Sequence, residues 1–211
     1  MRNITRILLL ILVLLGSIFA FPQIRFVIGA GFINIGYFFQ DAVLLSSEME
    51  PSPRELLTQV INRNKLSSSV RKLFPRTNHH PLVAVVSCMD GRLHTEELVG
   101  DTRGFYYNIR TAGSIIEPPE IEMLELAVSN GVKLILLTTH SDCAAEKVSK
   151  DQTRNVDFPN LSRAVNGREE RFKELLQRPV IADKVKSGEL LIHRLNIDTL
   201  AGGELELYFG D

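Results

Sequence analysis

Hydrophobic and polar positions divide the chain into two unlike stretches. Near the amino end, Arg2 and Arg6 precede Ile7 to Ile24, eighteen residues without a charge that include the run Leu8 to Leu15. As a helix this segment measures roughly 27 Å at about 1.5 Å per residue, slightly short of the hydrocarbon thickness of a bilayer. No amphipathic period thins it, which argues against a buried core helix. Its basic start, apolar centre and small residues Gly16, Ser17 and Ala20 fit a cleavable signal peptide or a membrane anchor, although Ile18 is an indifferent residue near a cut at Ala20. Phe26 to Gln40 is a second uncharged stretch, diluted by Gly29, Gly31, Asn34 and Gly36, and is expected to be interfacial or a weak second span. Positive charge at the amino end favours keeping that end cytoplasmic, so one span places the later residues on the extracytoplasmic side; a second crossing returns them to the cytoplasmic face.

The pattern changes at Ser46 to Pro53. Residues 1–45 are expected to be a signal peptide or membrane anchor with an apolar linker, and residues 46–211 one folded domain. Ser52-Pro53-Arg54-Glu55 combines an N-cap serine, a first-turn proline and a glutamate three residues after the cap, and Leu56, Leu57, Val60 and Ile61 follow at helical spacing. Pro81 opens the continuous apolar run Leu82 to Val86, the signature of a strand buried on both faces, which ends at Cys88. Phe105 to Ile109 reads as a second strand ending at Arg110-Thr111-Ala112-Gly113. Pro118-Pro119 introduces a helix with Ile121, Leu124, Ala127 and Val128 on one face, stopped by Asn130-Gly131. Leu134 to Leu137 begins a third strand, which ends at His140. Helices over Arg168 to Leu176 and Pro179 to Lys186 follow, then strands over Leu190 to Ile197 and, after Gly202-Gly203, over Glu204 to Phe209. Strands alternating with helices predict an α/β fold with a mainly parallel central sheet flanked by helices.

Composition narrows the chemistry. The chain has 211 residues and a formal net charge of -1, enough for one ordinary domain with an appendage. No basic stripe with interleaved aromatics is present, so nucleic acid is not an expected partner. Two cysteines do not make a disulfide scaffold. Both fall in short polar motifs directly after buried strands, Cys88-Met89-Asp90-Gly91-Arg92 and His140-Ser141-Asp142-Cys143. Ligands of parallel sheets collect beyond the carboxyl ends of the strands, so the two loops are expected to converge on one metal ion. Two thiolates and an imidazole suit zinc, with a fourth position for water or a carboxylate.

Cys-x-Asp-x-Arg after a buried strand, Arg-x-Ala-Gly about twenty residues later and His-x-x-Cys after the next helix and strand resemble the β-class carbonic anhydrases. The resemblance runs in detail from Pro81 to Val148 and more loosely through the closing strands. It implies a β-carbonic-anhydrase-like catalytic domain that hydrates carbon dioxide reversibly to bicarbonate and a proton through zinc-bound hydroxide, normally as a homodimer or higher even oligomer. It implies Cys88, His140 and Cys143 as zinc ligands. Asp90 and Arg92 match the family's dyad, in which the carboxylate either orients the hydroxide while paired to arginine or swings onto the metal and closes the site. Gly113 is expected to serve a tight backbone approach near the substrate pocket. Asp142 is read as bonding to backbone or orienting a neighbour rather than as a ligand.

Two readings stand beside this one. The same attack on carbonyl sulfide or carbon disulfide gives a hydrolase on the same fold, and loss of turnover gives a membrane-attached zinc or bicarbonate-binding module. His79, His80, His94 and His193 read as surface or packing residues, with His94 the best placed for proton transfer because it lies two residues beyond Arg92. Departures from the family pattern are Thr111, where asparagine is usual before Ala-Gly, and Ala144-Ala145 in place of glycines after Cys143. Their methyl groups are expected to narrow the approach to the metal or tilt the following helix.

Overall fold

In the computed structural model, residues 2–41, 52–73, 80–99, 106–200 and 203–207 are described. The chain divides into two compact units, Met1–Pro75 and Arg76–Asp211. The expected boundary between residues 45 and 46 lies outside the described residues, as do His79, Phe105, Gly202 and Phe209.

The first unit is helical: α1 (Arg2–Ala20), α2 (Pro22–Asp41) and α3 (Pro53–Leu73). Phe21 alone separates α1 from α2, which touch each other. Leu9, Leu10, Leu12, Phe32 and Phe38 are all exposed. Among the described residues, no helix is long and apolar enough to cross a membrane. The start of α3 is as its sequence demands. Glu55 N–H donates to Ser52 Oγ at 3.4 Å, and Glu55 Oε2 accepts from Ser52 N–H at 2.7 Å, so two end groups satisfy each other.

The second unit is built on a five-stranded sheet in the order β2-β1-β3-β4-β5. The strands are β1 (Val83–Cys88), β2 (Tyr106–Thr111), β3 (Leu134–His140), β4 (Leu191–Asp198) and β5 (Glu204–Leu207). β1 is parallel to β2 and β3, β3 is parallel to β4, and only β5 runs antiparallel to its neighbour among these pairs. The connections carry α4 (Thr95–Val99), a 3-10 turn (Ala112–Ser114), α5 (Pro118–Ser129), α6 (Ala144–Lys150), α7 (Pro159–Asn166), α8 (Arg168–Gln177) and α9 (Pro179–Lys186). The expectation of a mainly parallel α/β sheet holds.

The apolar run that opens β1 is buried from Ala84 onward, and burial continues through Ser87 and Cys88. The residues of α5 that turn inward are Ile121, Leu124, Ala127 and Val128, the same four that the helical period marked. They join Ala84, Val86, Ile135, Leu175 and Ile181 in the main core. Burying a Leu or Ile side chain stabilises by about 1.5–3 kcal/mol, so this cluster holds the sheet against α5, α8 and α9. A smaller cluster at the carboxyl end of the strands contains Cys88, Leu93, Cys143, Ala145 and Ile197. The second strand runs further than the sequence suggested. It continues through Arg110 and Thr111, because Ser87 and Cys88 at the end of β1 pair with them in parallel register.

Candidate metal centre

β1 and β3 are adjacent parallel strands, and each ends on a metal-ligating residue type. Cys88 closes β1, His140 closes β3, and Cys143 is the N-cap of α6. The ligand atoms of Cys88, His140 and Cys143 all lie within 4.8 Å of one another, and all three residues are buried. Two loops separated by 52 positions therefore converge as the motifs predicted.

The orientation of the imidazole follows from its neighbours. His140 Nδ1 lies 2.9 Å from Ser141 O. A carbonyl only accepts, so Nδ1 carries the proton and Nε2 presents a lone pair. That Nε2 is buried with no hydrogen-bond partner. An orphaned buried acceptor beside two sulfurs is costly unless something binds it, and a divalent cation fits this donor set. Ser141 is itself held by the β4–β5 connection. Thr199 Oγ1 donates to Ser141 O at 2.9 Å, and Thr199 N–H donates to Ser141 Oγ at 2.9 Å. Partners of this kind fix the tautomer and direction of a ligating histidine.

The thiols are electrically unequal. Cys88 is held well below the usual thiol range, first by a hydrogen bond from Cys143 and further by the N–H groups of Asp90 and Gly113. Cys143 is pushed up by that same hydrogen bond and by burial, opposed by the N–H groups of Glu146 and Ala145. A divalent cation held by Cys88, His140 and Cys143 would displace the proton the two sulfurs share.

Asp90 and Arg92 stand beside the sulfurs. Arg92 Nε donates to Asp90 Oδ1 at 3.0 Å and Nη2 donates to Oδ2 at 2.8 Å, a bidentate pair reinforced by Arg92 N–H to Oδ1 at 3.0 Å. These hydrogen bonds hold the Asp90 carboxyl far below the usual carboxylate range. Both Asp90 oxygens are engaged by Arg92, and Asp90 is not among the three clustered ligands. Asp142 lies outside the ligand cluster: its Oδ2 accepts from Arg92 Nη1 at 3.3 Å, and its Oδ1 pairs with Lys147. Lys147, then Arg92, lower the Asp142 carboxyl.

Gly113 is buried with φ 65°, a backbone region that disfavours side chains. A Cβ there would lie 3.1 Å from Ala145 Cβ and 3.4 Å from Ile115 Cδ1. One of the two alanines that depart from the family pattern therefore touches the glycine turn directly. Thr111 turns its hydroxyl to Ile115 O at 2.7 Å and closes the same turn. His80, His94 and His193 are exposed. Two arginines carry roles the sequence did not disclose. Arg110, quoted in the motif, donates through Nη2 to Asp90 O at 2.6 Å and through Nε to Cys88 O at 3.3 Å. Arg168, which no motif marked, reaches Gly113 O at 2.8 Å.

A parallel sheet carrying a Cys-His-Cys cluster beside an Asp-Arg pair defines a recognisable class. Residues 83–170 match the family model described as carbonic anhydrase. A curated carbonic anhydrase from Helicobacter pylori is 26% identical over 133 residues, 57% of this chain and 60% of that protein. This chain thus spans about 60% of the length of that relative. Among solved structures, the β-carbonic anhydrase CcaA superposes with a TM-score of 0.58 at 20% identity, covering 74% of this chain and 100% of that one. The carbonic anhydrase of Streptococcus mutans gives 0.52 at 20% identity over 75% of this chain and 99% of that one. The β-carbonic anhydrase CafA of Aspergillus fumigatus gives 0.56 at 16% identity over 73% and 90%. Over residues 83–170 the chain is similar to the carbonic anhydrases, and its fold is that of the solved β-carbonic anhydrases.

Proposed function

We propose that this protein hydrates carbon dioxide reversibly to bicarbonate and a proton, with zinc held by Cys88, His140 and Cys143. The observation that carries this reading is the buried, unpartnered Nε2 of His140 within 4.8 Å of both sulfurs. When bound, zinc supplies a water whose pKa falls from about 15.7 towards roughly 7. The protein's own residues supply direction. Asp90, kept ionised by Arg92, only accepts hydrogen bonds, so a hydroxyl beside it must turn its proton towards the carboxylate and its lone pairs away. Arg92 fixes the plane of that carboxylate through two parallel N–H bonds and, by engaging both oxygens, favours three protein donors over four. The buried Gly113 turn brings backbone against the Cys88 sulfur where a side chain would not fit.

The test is stopped-flow hydration of carbon dioxide by the purified protein, with zinc counted on the same sample. One zinc per chain and hydration well above the buffer rate are expected. Turnover of carbon disulfide without hydration of carbon dioxide, or bound zinc with hydration at the buffer rate, overturns the proposal.

A homodimer or higher even oligomer is part of the reading. β2 lies at the edge of the sheet. An apolar depression beside it is lined by Tyr107, Ile109, Met123, Leu126 and Ala127, with Met123 and Leu126 half exposed. Exposed edge strands with apolar neighbours are templates for pairing. A tetrameric β-carbonic anhydrase of Sordaria macrospora superposes with a TM-score of 0.54 at 18% identity. Light scattering at the mass of a monomer refutes this part. Attachment to a membrane surface is a further part of the reading, drawn from the exposed apolar residues of α1 and α2; an extracytoplasmic location rests only on the basic amino end. Failure of the full chain to float with lipid vesicles refutes attachment.

A further inference from the structure

Arg168 stands at the first position of α8, 25 residues beyond the last motif, yet its guanidinium links two segments that border the metal centre. Nη2 donates to Gly113 O at 2.8 Å, and Nη1 donates to Glu146 Oε1 at 2.9 Å. The side-chain exposures are 20% for Arg168 and 27% for Glu146. Gly113 lies in the turn that follows β2, whose last residue Thr111 pairs with Cys88, and Glu146 lies in the first turn of α6, which Cys143 caps.

The Gly113 turn needs such an anchor. Gly113 and Ser114 are both left-handed, with φ 65° and 57°, a conformation that is strained for Ser114 because its Cβ crowds the following carbonyl. The main-chain bond that closes the turn, Ile115 N–H to Ala112 O, is long at 3.4 Å. Strained backbone persists where its surroundings over-determine it. A planar guanidinium presents two N–H groups at a fixed spacing, so one side chain can hold a carbonyl and a carboxylate together. An ammonium is a compact point charge and lacks that fork.

We propose that Arg168 is a positioning residue for the metal centre: by tying the Gly113 carbonyl to the Glu146 carboxylate, it holds the turn beside Cys88 against the helix that Cys143 caps. Loosening that tie lets the two sulfurs shift relative to each other, so Arg168 sets how well both sulfurs reach one cation. This inference rests on the metal-binding reading above, and its readouts are independent of turnover.

The experiment compares full-length wild type with Arg168→Gln, Arg168→Lys and Glu146→Gln, each loaded with zinc or with cobalt. Zinc affinity is measured by chelator competition and sulfur donation by the thiolate-to-cobalt charge-transfer absorption. Arg168→Gln is expected to weaken zinc by about ten- to a hundredfold and to shift the absorption. Glu146→Gln should move both in the same direction by less, and Arg168→Lys should restore only part of the loss. Arg178→Gln is the control for mere stability, because Arg178 pairs with Glu125 and neither residue touches a sulfur-bearing segment. It should lower thermal stability while leaving affinity and absorption at wild-type values. Arg168→Gln with wild-type zinc affinity and spectrum overturns the inference; if that variant does not fold, unchanged values in Glu146→Gln do so. Wild type that binds cobalt but does not hydrate carbon dioxide refutes the proposed reaction and leaves this inference standing.

Discussion

The two loops that meet at the candidate metal centre are anchored in opposite ways. Cys88 to Arg92 is braced largely from within and from the neighbouring strand: Asp90 closes on Arg92, and Arg110 of β2 grips the carbonyls of Cys88 and Asp90. His140 to Cys143 is braced from distant chain. Thr199 holds Ser141, Ser141 orients His140, and the residue after the loop opens α6. The first loop brings one sulfur and the Asp90–Arg92 ion pair; the second brings an imidazole and a sulfur. Metal retention should therefore depend on both loops, and turnover without loss of metal should be separable only in the first.

Removing a sulfur tests the first half of that contrast and should have the largest effect. Cys143→Ser and Cys88→Ser are each expected to lose stoichiometric zinc. At about a thousand times its dissociation constant, a ligand that binds only the folded state adds about 4 kcal/mol of stability. Titrating zinc during thermal unfolding should raise the Tm of wild type and leave both variants unmoved. Full zinc occupancy in either variant would contradict the shared site. Asp90→Asn tests the second half and ranks next. It should keep zinc, since Asp90 is not in the ligand cluster, and should hydrate carbon dioxide about a hundredfold more slowly or worse. Wild-type rate in that variant would show that the dyad is not used.

The same contrast explains what could be read from residues alone. Ligands at strand ends were legible, because apolar runs announce β1 and β3 and Cys88 and His140 follow within three residues of where those runs stop. Asp90 and Arg92 were legible because their partners are each other, two positions apart. The end of β2 was not. Arg110 and Thr111 are polar, and they are strand only because Ser87 and Cys88 need parallel partners. Thr199 and Arg168 were hidden for a related reason. Both act on main-chain carbonyls, which every residue has, so nothing in the type or spacing of their partners marks them. Short helices such as α4 and α7 carry too few turns for a period to declare itself.

Gly113→Ala sits between the loops and should have an intermediate effect, on stability first. An alanine at φ 65° costs about 1–2 kcal/mol in backbone alone, and its Cβ would lie 3.1 Å from Ala145 Cβ. For a protein of this size, that corresponds to a fall in Tm of about 2–8 °C. The double variant Gly113→Ala with Ala145→Gly relieves the contact and leaves the backbone cost. Recovery of part of the Tm, with the remainder still lost, is the expected outcome. No recovery would mean that the Ala145 methyl does not restrict the turn.

Asp142→Asn should have the smallest effect, and it discriminates most finely between the loops. Asp142 adopts φ 63°, a left-handed conformation that asparagine tolerates as readily as aspartate, so the substitution removes charge without adding strain. What disappears is the ion pair with Lys147 and the second anion facing Arg92. Both pairs are exposed, and solvent screening leaves exposed pairs little net stability, so the Tm should fall by less than it does for Gly113→Ala. Freed of Asp142, Arg92 keeps its bidentate bond to Asp90, so hydration should stay within about threefold of wild type, well short of the hundredfold expected for Asp90→Asn. A loss as large as that of Asp90→Asn would show that Arg92 is held in place by the second loop and not by its own, which would erase the asymmetry between them.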